Sequence, residues 1–159
     1  MLYPKLISDI TNENYAGYLQ ENFYKSIGAN TLGFTPKTKN FTNTIVPTEI
    51  DSLFRKDLTN SWVHDENAAL MGGFSGNAGL FGGALDLAKM MQMYSNYGYY
   101  DYKQYISKST LKEFTKIQFP ENGNRRGLGF DKPLVGNNKL PINKCVNTTL
   151  STPPEIFTT

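Results

Sequence analysis

The sequence predicts an α+β chain that is mostly helical, and three observations carry that expectation. Apolar residues recur at helical spacing in an N-terminal stretch, again after Ala84, and a third time after Ser107. The stretch 30–43, rich in Thr, Asn and Lys around Pro36, reads as loop or a short edge strand. Between the helical stretches, Gly72, Gly73, Gly76, Gly79, Gly82 and Gly83 crowd into one loop. Glycine at that density marks backbone with positive φ, or backbone packed hard against other backbone.

The elements follow in order. Pro4 fits a first helical turn, with Leu6, Ile7 and Ile10 on one face. Asn12 or Asn14 can cap a second helix in which Tyr15, Tyr18, Leu19 and Phe23 recur, and Gly28 supplies its stop. This aromatic face reads as core rather than as a substrate platform. Glu49, Asp51, Arg55, Lys56 and Asp57 bracket Leu53 and Phe54 and read as a solvated face with weak ion pairs. A carboxylate pair drawn from Glu49 and Asp51 gains no support from its neighbours. Met71, Phe74, Leu80 and Phe81 point to a buried glycine loop, which must satisfy its own backbone groups. After a cap at Gly83, Leu87, Met90, Met91 and Tyr94 sit at i, i+3, i+4 and i+7, the spacing of a buried face. Asp86 in that first turn favours the positive end of the helix dipole. A Tyr-rich turn spans 96–101. A last helix then runs through Leu111, Phe114 and Ile117, with Ser107 or Ser109 as cap and Pro120 ending it.

Composition excludes several classes. The 159 residues suffice for one core, and 39% hydrophobic with 19% charged is ordinary for a soluble protein. A net charge of +2 without a Lys/Arg cluster argues against nucleic acid. Cys145 is the single cysteine, so neither an intrachain disulfide nor a thiolate metal site is expected. No apolar run is long enough for a transmembrane segment, and Met-Leu-Tyr-Pro-Lys is no signal peptide, so the chain is expected to be soluble and to stay where it is made. His64 is the only histidine and has no H-x-x-x-H partner for a zinc site. Adjacent residues on a strand point to opposite faces, so His64 and Asp65 do not readily meet, and His64 is assigned a structural role pinning the glycine loop.

Residues 62–89 read W-V-H-D-E-N-A-A-L-M-G-G-F-S-G-N-A-G-L-F-G-G-A-L-D-L-A-K. This resembles the V-H-D-x-N-A … G-G-x-x-G-H-A-G-L-F-S-x-A-x-D-L-A pattern of serine β-lactamase-related proteins, the group of class C β-lactamases, penicillin-binding-protein-like peptidases and esterases. Glu21-Asn22-Phe23-Tyr24-Lys25, Val46-Pro47-Thr48-Glu49, Phe54-Arg55 and Arg125-Arg126-Gly127-Leu128-Gly129-Phe130-Asp131 fit in the same order. The match runs from about Leu6 to Pro133. Asn77 stands where the family has His, and Gly82 and Gly83 replace its small hydroxyl residues.

The resemblance implies a β-lactamase/transpeptidase-like fold, with an antiparallel sheet flanked by helices and a further helical region. On that reading residues 1–135 are the middle portion of such a domain, mostly its helical region, and 136–159 an irregular or disordered tail. It implies acyl-serine hydrolysis of an amide or ester in the parent, a small-molecule or cell-wall peptide substrate, no cofactor, no metal, and a periplasmic or cell-envelope setting. The loop around Asn77, Gly79 and Phe81 resembles a wall beside the substrate cleft.

The family's chemistry uses a nucleophilic Ser with a Lys one helical turn later, a Tyr or Ser relay, and a Lys/His-Thr/Ser-Gly strand. The chain offers Ser109-Thr110-Leu111-Lys112 and Tyr94-Ser95-Asn96. Both fall after the glycine loop, where the family has its motifs before it, and two fixed positions match about once by chance. Ser109, Lys112 and Tyr94 are therefore read as decoys: Ser109 as a helix cap, Tyr94 as core or surface. K-T-G and H-T-G do not occur. The expectation is a chain inactive by itself, marginally stable or aggregating because helix faces lack partners. The alternatives are a non-catalytic relative binding cell-wall peptide or sugar, from a protein fused to a β-N-acetylglucosaminidase, and an enzyme built on Ser109 and Lys112.

Overall fold

The computed structural model describes residues 2–38 and 44–132. The expected tail over 136–159, with Cys145, lies outside the described residues. The order is α1 (Leu2–Thr11), α2 (Tyr15–Leu19) continued by a wider π-helical turn (Gln20–Tyr24), β1 (Gly33–Phe34), β2 (Glu49–Asp51), β3 (Asp57–Thr59), α3 (Glu66–Leu70), β4 (Leu80–Phe81), α4 (Ala84–Ser95), β5 (Tyr99–Tyr100), β6 (Lys103–Gln104) and α5 (Lys108–Thr115). Helices with small sheets make a mixed chain. Among the described residues the strands pair as β1–β4, β2–β3 and β5–β6, all antiparallel. No described helix is long and apolar enough to cross a membrane. The chain divides into two units between Met90 and Met91.

In the first unit, Asn14 caps α2 by accepting from the N–H groups of Ala16 and Gly17. The helical run ends at Gly28 (φ 71°), where Gly28 N–H donates to Lys25 O and Ala29 N–H to Tyr24 O, the paired bonds of a glycine stop. Tyr15, Phe34 and Phe74 form an aromatic cluster with ring centroids 5.6–6.2 Å apart. It joins α2, β1 and the glycine loop, which places Tyr15 at the core as its spacing predicts. Ile27, Ala29, Leu32, Val63 and Ala68 complete that core. The α1 face is different: Leu2, Leu6 and Ile10 share one side of the helix and all three are exposed.

In residues 49–59 Lys56 and Asp57 are exposed, as a solvated charged face requires, but Asp51 and Arg55 depart from that expectation. The segment forms a hairpin with Ile50 opposite Leu58 and Asp51 opposite Asp57. Ile50 and Leu58 are exposed while Asp51 is buried. The inversion has a local cause. The Asp51 carboxylate accepts the N–H groups of Leu53, Phe54 and Arg55 at 2.9–3.0 Å and the Arg55 guanidinium at 2.9 Å. Its charge is more useful inside the turn than in water, because it satisfies three backbone donors at once.

The glycine loop is only partly buried. Gly73, Ser75 and Gly79 are enclosed, whereas Met71 and Leu80 are exposed. Gly79 has φ 108°, and a Cβ there would lie 2.5 Å from Gly73 O and 2.8 Å from Phe74 Cα, so backbone meets backbone. In α4 the inward residues are Asp86 and Met93; Leu87 and Met91 of the predicted stripe are exposed. The helix is rotated from the expected face because Asp86 is anchored by three hydrogen bonds: from Thr31 N–H and Oγ1, each 2.7 Å, and from Lys89 Nζ, 2.8 Å.

In the second unit, Tyr97 (φ 53°) and Gly98 (φ 84°) turn the chain into the β5–β6 hairpin. The α5 helix starts at its cap Ser107, whose Oγ accepts from Thr110 N–H, and stops at Thr115 rather than at Pro120. Leu128 N–H donates to Phe114 O, which turns that carbonyl to a partner outside the helix. The ring of Tyr94 meets Phe130 edge-on at 5.5 Å.

Candidate functional site

A cleft of about 590 Å³ opens in the first unit. One wall is the run Ala78–Gly83, the second the run Trp62–Asp65, and Thr31 with Thr44–Val46 and Thr48 complete it. Its surface is mostly aliphatic and aromatic, from Ile45, Val46, Trp62, Val63, Leu80 and Phe81, with threonine hydroxyls between them.

Each wall is held by groups behind it. Arg55 Nη2 donates to Val63 O at 2.7 Å and to His64 O at 3.1 Å, so the Asp51–Arg55 pair fixes the second wall from inside. That ion pair is mostly shielded from solvent. The hydrogen bond from Phe54 N–H, ahead of those from Arg55 and Leu53 and against the opposing effect of burial, holds the Asp51 pKa down at about 2. On the first wall, Gly83 N–H donates to Thr31 Oγ1 at 2.9 Å, and Thr31 donates in turn to Asp86. Burial pushes the Asp86 carboxyl up, but the bonds from Lys89 and Thr31 together leave it below the ordinary carboxylate range. Lys89 also bonds Gly28 O at 2.5 Å, which ties the end of the α2 segment to α4.

The sequence-derived residues separate on this frame. Gly79 and Phe81 line the cleft; Asn77 does not. Asn77 instead bonds the Ser75 hydroxyl within its own loop. Asp65 lines the cleft and caps α3 by accepting Ala68 N–H at 2.7 Å. His64 does not pin the glycine loop as expected. Its exposed ring lies 3.5 Å from Glu49 Oε1, and its carbonyl is what Arg55 holds. What packs on the glycine loop is Trp62, whose ring would be 3.0 Å from a Cβ at Gly73. Glu49 and Asp51 do not form a carboxylate pair: Asp51 is occupied in its turn, and Glu49 faces His64.

Ser109, Lys112 and Tyr94 fall in the second unit. Ser109 Oγ lies 3.0 Å from Ser107 Oγ, and Lys112 Nζ sits 5.9 Å from the Tyr97 ring centre. The cap of α5 is Ser107 and not Ser109. Tyr94 is half-buried against Phe130, and burial raises its pKa. Among the described residues no group of three or more His, Cys, Asp or Glu could hold a metal ion. The sequence holds no sign that Thr31, Thr44, Ile45, Val46 and Thr48 line the cleft. The V-P-T-E block touched their neighbourhood, but nothing in its residue types marks a cleft lining.

No family model matches the chain. It is 34% identical over 127 residues to a protein of Escherichia coli O157:H7 named "Putative D-alanyl-D-alanine carboxypeptidase", covering 72% of this chain and 29% of that protein. A protein of the same name from Salmonella typhi is 34% identical over 142 residues, covering 82% of this chain and 32% of the relative. The chain thus spans under a third of the length of the curated relatives it matches. In fold it is similar to the octameric penicillin-binding protein homologue from Pyrococcus abyssi, with a TM-score of 0.51 and 18% identity over 72% of this chain and 23% of that one. At that identity the likeness concerns the fold alone. The sequence matches and the shared fold together support a relationship between this chain and the penicillin-binding-protein-like serine hydrolases.

Proposed function

We propose that this chain builds part of the substrate cleft of a penicillin-binding-protein-like serine hydrolase, one that cleaves an amide or ester through an acyl-serine. The observation that carries the reading is the cleft itself. Its two walls are the glycine loop and the Trp62–Asp65 run, the segments in which the resemblance is densest. An apolar, mostly pre-formed concavity with a few polar groups is what a small-ligand site requires. Substrate is a small acyl compound or a cell-wall peptide.

Among the described lining residues there is no Ser, Cys or Lys. On this reading the nucleophile and its base come from outside this lining, and the chain alone is expected to be inactive. Incubation with a chromogenic cephalosporin and an activated ester, followed by intact mass, tests this. No mass gain is expected. A stable acyl adduct that disappears in Ser109→Ala overturns the reading. Trp62 is the only tryptophan and lines the cleft, so its emission reports occupancy directly. An acylated D-alanyl-D-alanine peptide is expected to shift that emission saturably, and Phe81→Ala to weaken the effect.

A second reading, a non-catalytic relative that holds cell-wall peptide or sugar in the same cleft, is favoured by the same lining without a nucleophile. Supplying the remaining segments of the Escherichia coli relative in trans separates the two. Turnover supports the hydrolase, and saturable binding without turnover supports the binder.

A further inference from the structure

The residues after Met91 hold a second cleft, about 370 Å³, lined by Gln92, Asn96, Tyr99, Tyr100, Asp101 and Tyr102. It shares no residue with the first cleft. Gln92 lies in the last turn of α4 and Asn96 directly follows that helix; Asn96 N–H donates to Gln92 O at 2.9 Å, which keeps the helical turn and sets the two residues four apart on one side of it. The β5–β6 hairpin brings the three tyrosines and Asp101.

Several features hold this hairpin ready. Gly98 O accepts from Tyr105 N–H at 2.8 Å, and Gln104 Nε2 donates to Tyr97 O at 2.8 Å. Only glycine fits at 98, because a Cβ there would stand 2.0 Å from Ile106 O. At the tip, Asp101 (φ 44°) and Tyr102 (φ 60°) both take the left-handed conformation of a tight hairpin turn. The turn leaves Tyr102 92% exposed and Tyr99 43% exposed. A large ring held in water forgoes the burial it would gain in a core, so a rigid display of such rings points to a ligand that covers them.

The lining chemistry narrows the class. Three phenol rings offer flat apolar faces with a hydroxyl at the edge. Two amides and a carboxylate offer paired donors and acceptors, and their side chains make no hydrogen bond to the described residues. Among the described residues the lining holds no Lys or Arg to favour an anion, no aliphatic wall to take an apolar side chain, and one carboxylate, too few for a cation. A pyranose fits this set. Its flat C–H face lies on an aromatic ring, and its neighbouring hydroxyls reach amide and carboxylate oxygens at the rim. We propose that this cleft is a binding site for a neutral saccharide, with Tyr100 and Tyr102 as the stacking residues and Gln92, Asn96 and Asp101 as hydroxyl partners. The site stands apart from the hydrolase reading and does not depend on it.

The test titrates the full chain with β-linked N-acetylglucosamine trimer, cellotriose and maltotriose, read by saturation-transfer NMR and calorimetry. Saturable binding of at least one trisaccharide is expected. Tyr102→Ala should weaken it about 3- to 10-fold, as loss of one aromatic contact does, Asn96→Ala should also weaken it, and Tyr102→Phe should retain it. Because Tyr102 is so exposed, its removal should leave the circular dichroism and melting curve unchanged. The proposal is overturned if none of the three sugars binds. It is equally overturned if binding is lost in Phe81→Ala but not in Tyr102→Ala, which places the sugar in the first cleft. Self-association abolished by Tyr102→Ala, without sugar binding, makes this face a protein interface instead.

Discussion

Asp51 joins local chain geometry to the candidate site. Its carboxylate collects three backbone N–H groups and Arg55, and Arg55 then reaches Val63 and His64 on the cleft wall. The Asp51 pKa in the fold is about 2, well under the roughly 3.9 of an unfolded aspartate. A carboxyl with a depressed folded pKa contributes stability that is fully present above its unfolded value and lost as pH falls through its folded one. Urea midpoints should therefore decline between about pH 4 and pH 2 in the native chain. Asp51→Asn should lower stability at neutral pH and flatten the decline. A wild-type and Asp51→Asn pair with parallel pH profiles would show that the turn does not depend on the charge. Of the five charged residues here, Lys56 and Asp57 are exposed as expected, but the burial of Asp51 with Arg55 was not legible. Inward or outward is decided by which backbone donors the turn leaves unpaired, and spacing does not encode that.

At the scale of the element, caps and stops were more legible than faces. Gly28 acts where the sequence puts it, and of the two candidate caps Asn12 and Asn14 the structure selects Asn14; such bonds join residues two to five apart. The cap of α5 was narrowed to two serines, and the structure selects Ser107. Ser107→Ala should cost about 1 kcal/mol of stability. Ser109→Ala should change it by less than about 0.5 kcal/mol, in line with other exposed positions. Denaturant unfolding of the two variants checks this, and equal losses would contradict the assignment. The α4 face was misread for a physical reason. Leu87, Met90, Met91 and Tyr94 make a good apolar stripe, yet a buried Asp86 with three hydrogen-bond donors turns the helix toward Thr31. One satisfied buried carboxylate outweighs a partial apolar stripe, since leaving it unpaired costs more than exposing a methionine. The hairpins at 49–59 and 99–104 were missed because their strands are too short to show a period of two.

At the scale of the whole molecule, more large apolar side chains lie exposed than buried among the described residues. Leu2, Leu6 and Ile10 on α1 and the cross-strand pair Ile50–Leu58 are the clearest cases. Exposed apolar faces of this extent weaken the balance between burial and chain entropy. The chain alone is predicted to melt broadly at low temperature, to bind a hydrophobic dye in its native state and to associate with rising concentration. A sharp, concentration-independent transition at high temperature would contradict this.

The amino-acid sequence alone determined the glycine-dense loop, the glycine stop at Gly28, the short list of candidate caps, and the resemblance that runs through residues 62–89. These are properties of neighbouring residues, where φ preference and short-range hydrogen bonds act. Tertiary structure decided which of those residues meet. It set Trp62–Asp65 against Ala78–Gly83 as two walls of one cleft, withdrew Asn77 to Ser75, and gathered Gln92, Asn96 and three tyrosines around a second cleft. Such meetings depend on long-range packing and on the pairing of buried charges, which no local pattern of residues records.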